Sequence, residues 1–150
     1  LAMIMAEKIG TDFAITPGAG AAGGLGFGLM AFAGATLRSG FDVFGEVTNL
    51  EESIAAADLV LTAEGAIDSQ TAMGKGTGQV AQLCQRLAKP CVGLAGQLAL
   101  DQAERESTAK LFNQLAAVAP DLATEQESMA DSANWLERLA RRLTTDLPPS

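Results

Sequence analysis

Leu59-Val60-Leu61-Thr62-Ala63-Glu64-Gly65-Ala66-Ile67-Asp68-Ser69-Gln70-Thr71-Ala72-Met73-Gly74-Lys75-Gly76 joins an apolar run to a stretch of glycines and small polar residues. Leu59–Thr62 has the length and composition of a buried strand. A short acidic-capped helix, Leu50–Ala57, precedes it, and Glu64–Gly78 reads as a polar loop. Further along, the pattern predicts a helix over about Gln79–Leu87, a break at Lys89-Pro90 and a second strand, Cys91–Ala95. A helix over Gln102–Gln114 and a third strand, Leu115–Val118, follow. Glu125–Leu143 then reads as one amphipathic helix, with Met129, Trp135, Leu136, Leu139 and Leu143 apolar among charges. Strands alternating with helices at this spacing predict an α/β fold, a parallel sheet flanked by helices. Ligands of such sheets bind beyond the carboxyl ends of the strands, where the Glu64–Gly78 segment falls.

Between Asp58 and Arg86 the only charges are Glu64, Asp68 and Lys75. Two acids and one lysine among glycines suit phosphoryl transfer, in which carboxylates hold magnesium and accept a hydroxyl proton while a cation meets phosphate. The plainer alternative is that Asp68 or Ser69 caps a helical turn and Lys75 is solvated.

Upstream, Phe13–Leu37 runs 25 residues without a charge and contains seven glycines and Pro17. The length would suit a membrane helix. Glycine, however, costs about 1 kcal/mol relative to alanine inside a helix, and Leu, Ile and Val are scarce here. The segment therefore reads as a glycine-rich loop entering a tightly packed helix near Gly24–Thr36. Gly18, Gly20 and Gly23 satisfy a G-x-G-x-x-G spacing that could present a helix N-terminus to an anion. A dinucleotide site also wants a firm strand before it and an acid ending a second strand. Asp12–Thr16 makes a poor strand, and Asp42 precedes its apolar residues. A P-loop fails because Lys75 is followed by glycine and position 69 is serine.

Composition narrows the chemistry. The 150 residues include 10 basic and 18 acidic side chains, a net charge of −8, and no histidine. Histidine-dependent triads, Cys-His dyads and histidine-ligated zinc are thereby excluded. A pI near 4.4 argues against nucleic acid as a partner. Cys84 and Cys91 read as buried free thiols of a reducing cytoplasm. No basic region precedes the apolar N-terminal stretch, so no secretory signal is expected. Leu1 falls inside an apolar helical pattern without an initiator methionine, which reads as a fragment. The tail, residues 147–150, reads as a disordered end.

Two stretches together resemble the type I family of bacterial glycerate kinases. The first is Pro17-Gly18-Ala19-Gly20-Ala21-Ala22-Gly23-Gly24-Leu25-Gly26 with Leu37-Arg38-Ser39-Gly40. The second is Thr62-x-Glu64-Gly65-x-Ile67-Asp68-Ser69-Gln70-Thr71, then Gly74-Lys75, with Val92–Gly96 where the next strand of the family lies. The resemblance implies an ATP- and magnesium-dependent kinase that phosphorylates a hydroxyl of D-glycerate. It implies a three-layer, Rossmann-like domain built from both chain ends, with a second α/β domain inserted between them and the active site in the cleft. Residues 1–57 would close the inserted domain and 58–146 the Rossmann-like one. The family pattern departs at Ala63, Ala66, Met73, Thr77 and Gln79. At Ala66 the family carries an arginine able to clamp an anion bidentately, which alanine cannot do.

On this basis Asp68 is expected as base or magnesium ligand and Glu64 as its partner. Ser69, Gln70 and Thr71 are expected to bind glycerate, Lys75 to hold phosphate, and Gly18, Gly20, Gly23 and Gly24 to approach nucleotide phosphates. The expected protein is cytoplasmic, with no membrane partner and with self-association or a homodimer at its open surfaces. The rival readings are a diverged or truncated, non-catalytic nucleotide-binding relative and an NAD-binding Rossmann oxidoreductase.

Overall fold

The computed structural model describes residues 1–72 and 76–146; Met73, Gly74, Lys75 and the tail fall outside the described residues. The chain divides into two compact units, Leu1–Val43 and Phe44–Ser150.

The first unit holds α1 (Ala2–Ile9), a 3₁₀ turn (Phe13–Ile15) started by Asp12, and α2 (Ala21–Ala33). The expected helix near Gly24–Thr36 is present but begins earlier, at Ala21. Its first turns are kinked by three consecutive residues with positive φ, Ala22 (51°), Gly23 (70°) and Gly24 (94°). Gly34, in the left-handed region, closes the helix. At 13 residues α2 is too short for a bilayer. No helix among the described residues is long and apolar enough to cross a membrane.

After α3 (Gly40–Thr48) and α4 (Leu50–Ala56), the second unit builds a three-stranded parallel sheet in the order β1-β2-β3, from Val60–Ile67, Cys91–Leu98 and Gln114–Ala119. Between β1 and β2 lie the short α5 (Ser69–Ala72) and α6 (Thr77–Arg86), and between β2 and β3 lies α7 (Gln102–Ala109). The α/β class and the parallel sheet flanked by helices are as the pattern predicts.

Several boundaries differ from the sequence expectation; β2 runs past Ala95 to Leu98, and α6 starts at Thr77 instead of Gln79. β1 does not stop at Thr62: Ala63 to Ile67 continue it, with Glu64 opposite Ala95, Ala66 opposite Gln97 and Ile67 opposite Leu98. Ala, Glu and Gly have poor strand propensity, and only the β2 ladder holds them extended. The helix expected over Gln102–Gln114 ends at Ala109, because Phe112 turns inward and is 7% exposed. The single helix expected over Glu125–Leu143 is two, α8 (Glu125–Ala130) and α9 (Ser132–Asp146). Asp131, at φ −143° and ψ 57°, breaks them apart. α8 is fixed at both ends of its short span. Thr124 and Glu127 form a capping box, and the buried Ser128 hydroxyl donates to the Gly96 carbonyl at 3.2 Å.

The sheet buries both faces. Ile67, Ala95, Leu98 and Ala117 form one cluster. Val92, Val118, Leu139 and Leu143 form the other, with Trp135 partly buried against it. Trp135, Leu139 and Leu143 recur every four residues along α9, so they make one stripe. Met129 and Leu136, expected in that stripe, are 76% and 44% exposed. β1 is the exposed strand: Leu61 is 63% accessible, and β2 is its one partner among the described residues.

At Gly96 the neighbouring backbone leaves no space for a side chain, since a Cβ there would lie 2.7 Å from the Gly65 carbonyl oxygen. At Gly65 a Cβ would meet nothing within 4 Å. Gly96→Ala is expected to lower stability by about 1–3 kcal/mol through forced separation of β1 and β2. Gly65→Ala should stay close to wild type. Thermal unfolding of both variants checks the contrast.

Candidate functional site

β1 carries its last residues to the carboxyl end of the sheet, and the chain turns there through Asp68 into α5. The turn is made by the acid itself: Asp68 Oδ1 accepts the Gln70 backbone N–H at 2.8 Å. The capping role foreseen as the plainer alternative is therefore real. It occupies one of the two carboxylate oxygens.

Thr71 links the two acids. Its backbone N–H donates to the Asp68 carbonyl at 3.0 Å, and its hydroxyl lies 3.3 Å from Glu64 Oε2. The Thr77 hydroxyl, at the first turn of α6, reaches the same Oε2 at 3.1 Å. Thr71 and Thr77 are 2% and 5% exposed, so water competes little for these hydroxyls. Glu64 is thus held from two helices. Both threonines take Oε2, and no described donor reaches Oε1. The same holds for Asp68 Oδ2. Among the described residues, then, one oxygen of each carboxylate meets no hydrogen-bond donor.

The turn is packed tightly enough to hold this arrangement. A Cβ on Gly78 would collide with the Thr71 carbonyl oxygen, and one on Gly76 would lie 3.1 Å from Glu64 Oε1. Only hydrogen fits at Gly78 between α5 and α6, so the glycine spacing of this segment serves to dock the two short helices.

Of the residues expected here, Glu64, Asp68 and Thr71 come together, and Ser69 and Gln70 stand exposed beside them on α5. Lys75 lies outside the described residues. Gly18, Gly20, Gly23 and Gly24 belong to the first unit. Gly20 precedes α2, Gly23 and Gly24 form its kink, and Gly20 and Gly24 line a small apolar cavity of about 300 Å³ with Ala14 and Phe27. Sequence reading missed Thr77. Its signal was a polar residue at the first position of a helix on the same face as Ala81 and Cys84, four and seven residues on and both buried.

α6 is anchored at its other end by two thiols. Cys84 and Cys91 are buried and free, as expected. Burial first, then the neighbouring Cys84 thiol, pushes the Cys91 thiol up to about 12. Burial likewise raises Cys84, against the smaller opposing effect of hydrogen bonds. Folding keeps these groups protonated. Their contribution to stability is therefore full below the ordinary thiol value of 9.0 and is lost as pH rises from there through the folded value of about 12. Between pH 8 and 11 the melting temperature of wild type should fall more steeply than that of Cys91→Val. Parallel profiles would count against a native-state shift.

The chain is similar to known proteins over almost its whole length. The profile of the glycerate kinase family matches residues 1–147. The chain is 36% identical over 147 residues to a glycerate kinase of Bacillus subtilis (strain 168), covering 95% of this chain and 37% of that protein. It is 45% identical over 100 residues to the glycerate 2-kinase of Escherichia coli (strain K12), covering 67% of this chain and 26% of that one. The crystal structure of a protein assigned as glycerate kinase 2 from Salmonella typhimurium LT2 superposes with a TM-score of 0.61 at 31% identity, over 97% of this chain and 38% of that chain. The chain thus spans under two fifths of the length of the relatives it matches.

Proposed function

The chain belongs to the glycerate kinase family, and from that premise we propose that it carries the acidic half of a site that phosphorylates a hydroxyl of D-glycerate with ATP. The observation that supports this most directly is that Thr71 bonds both the Glu64 carboxylate and the Asp68 main-chain carbonyl, while one oxygen of each carboxylate meets no donor among the described residues.

In this reading Asp68 accepts the proton as a glycerate hydroxyl oxygen bonds to the γ-phosphorus and the bond to the β-phosphate oxygen breaks, giving phosphoglycerate and ADP. Glu64, or Asp68 where it does not act as the base, would hold magnesium, which takes one or two protein carboxylates and completes its shell with phosphate and water. When bound, the ion would neutralise charge on the transferring phosphate. Thr71 and Thr77 hold Glu64 in place. Ser69 and Gln70, exposed beside Asp68, supply hydrogen bonds for the substrate, and Lys75 meets phosphate. Gly18, Gly20, Gly23 and Gly24 remain proposed for close approach of a phosphate to backbone, supported by the left-handed residues Ala22, Gly23 and Gly24 in the first turn of α2. The division into an inserted domain over 1–57 and a Rossmann-like domain over 58–146 is proposed on the same family basis, as are a cytoplasmic location and a small-molecule partner alone.

Asp68→Asn, made in the complete gene product, should reduce glycerate phosphorylation by about 10²–10⁴-fold with little change in melting temperature. Coupled ADP-release kinetics measure it, and undiminished turnover removes Asp68 from the mechanism.

Self-association is proposed through β1. Its outer edge, with Leu61 exposed and Glu64 the one charge in the strand, has the features of an edge that pairs with another chain. Light scattering should show the 150-residue chain associating, and Leu61→Lys should shift it toward monomer.

A further inference from the structure

Opposite the α6 side of the sheet, a groove runs along the carboxyl ends of β1 and β2 under α8 and α9. Two cavities of about 330 and 400 Å³ share the same floor and wall, namely Gly65, Gly96, Ser128 and Ser132. The first continues to Leu94, Val118, Leu136 and Glu64; the second continues to Met129, Gln97 and Glu125. None of these residues was singled out as a ligand site apart from Glu64.

We propose that this groove binds the neutral, nucleoside half of the nucleotide. This deepens the kinase reading and rests on it. Three features select that occupant. The floor is two adjacent glycines, so a planar ring can lie on bare backbone between apolar side chains and the soft thioether of Met129. The rim carries the Ser132 hydroxyl and the Glu125 carboxylate, a donor and an acceptor for sugar hydroxyls. The described lining residues include no lysine or arginine, and Glu125 is an acid at the second cavity. Phosphate and glycerate, both anions, are therefore disfavoured in the groove, while an uncharged base and sugar are not. The position is also the one at which open α/β sheets receive ligands, beyond the strand ends. Glu64 belongs to both places: its backbone stretch borders the groove, and its carboxylate stands at the acidic pair.

The test is a methyl and amide NMR titration of the 150-residue chain with adenosine and, separately, with D-glycerate. Adenosine should shift the Met129 methyl and the Ser128 and Ser132 amides and leave the Met3, Met5 and Met30 methyls in place. Glycerate should not move the groove resonances. Ser132→Phe, a substitution at an exposed position, should weaken adenosine binding about tenfold or more by filling the groove. Met129→Ala should weaken it less, with the fold unchanged by circular dichroism. Adenosine that leaves all groove resonances still, that shifts Met30 instead, or that binds Ser132→Phe as tightly as wild type overturns the proposal. Adenosine binding in the groove of a complete gene product unable to phosphorylate glycerate would refute the kinase reading and leave the nucleoside site standing.

Discussion

The parallel ladder between β1 and β2 is the constraint on which the rest depends. It takes residues of poor strand propensity, Ala63 to Ala66, and holds them extended, so that Glu64 faces Ala95 and the chain leaves the sheet at Ile67, opposite Leu98. Had β1 ended at Thr62, Glu64 would lie in a loop with no fixed direction. Because it is in the ladder, its carboxylate is aimed at the α5–α6 turn, and two threonine hydroxyls can reach one of its oxygens. The close approach of Gly96 to the Gly65 carbonyl is part of the same constraint. It lets the two strands pack at their carboxyl ends, and it clears the floor of the groove on the other face.

The acidic pair is built by small residues. Thr71 spends its amide on Asp68 and its hydroxyl on Glu64, while Thr77 adds a second hydroxyl from the next helix. A hydrogen bond of this kind contributes only about 0.5–1.5 kcal/mol net, more to a charged acceptor, and the two hydroxyl contacts together restrain the Glu64 side chain. The outcome is that, among the described residues, each acid has one oxygen bonded and one without a donor. The same division holds across the sheet. No cation is among the described residues that line the groove, and the backbone of Glu64 borders it while the Glu64 carboxylate turns to the α5–α6 side. A ligand with a charged end and an uncharged end matches that distribution of charge.

Much of this was readable in the sequence because it rests on local rules. Apolar runs of strand length alternating with helical patterns led to the parallel α/β sheet, and the isolation of Glu64, Asp68 and Lys75 among small residues singled out the turn after β1. The motif resemblance carries the family in the sequence alone. Propensity misjudged the strand ends, since Ala, Glu and Gly carry no strand signal of their own. The amphipathic pattern over Glu125–Leu143 hid the break at Asp131, because both halves keep a helical period and the kink is set by the bond from Ser128 to the Gly96 carbonyl.

By itself, then, the sequence determined the fold class, the family, the exclusion of histidine chemistry and the identity of the acids, since these follow from composition, period and spacing along the chain. Tertiary structure alone decided that Thr77 joins Thr71 on Glu64, that Met129 is exposed above a glycine floor, and which carboxylate oxygens stay open. Those facts depend on residues far apart in the chain meeting across a sheet, and no linear pattern encodes a meeting of that kind.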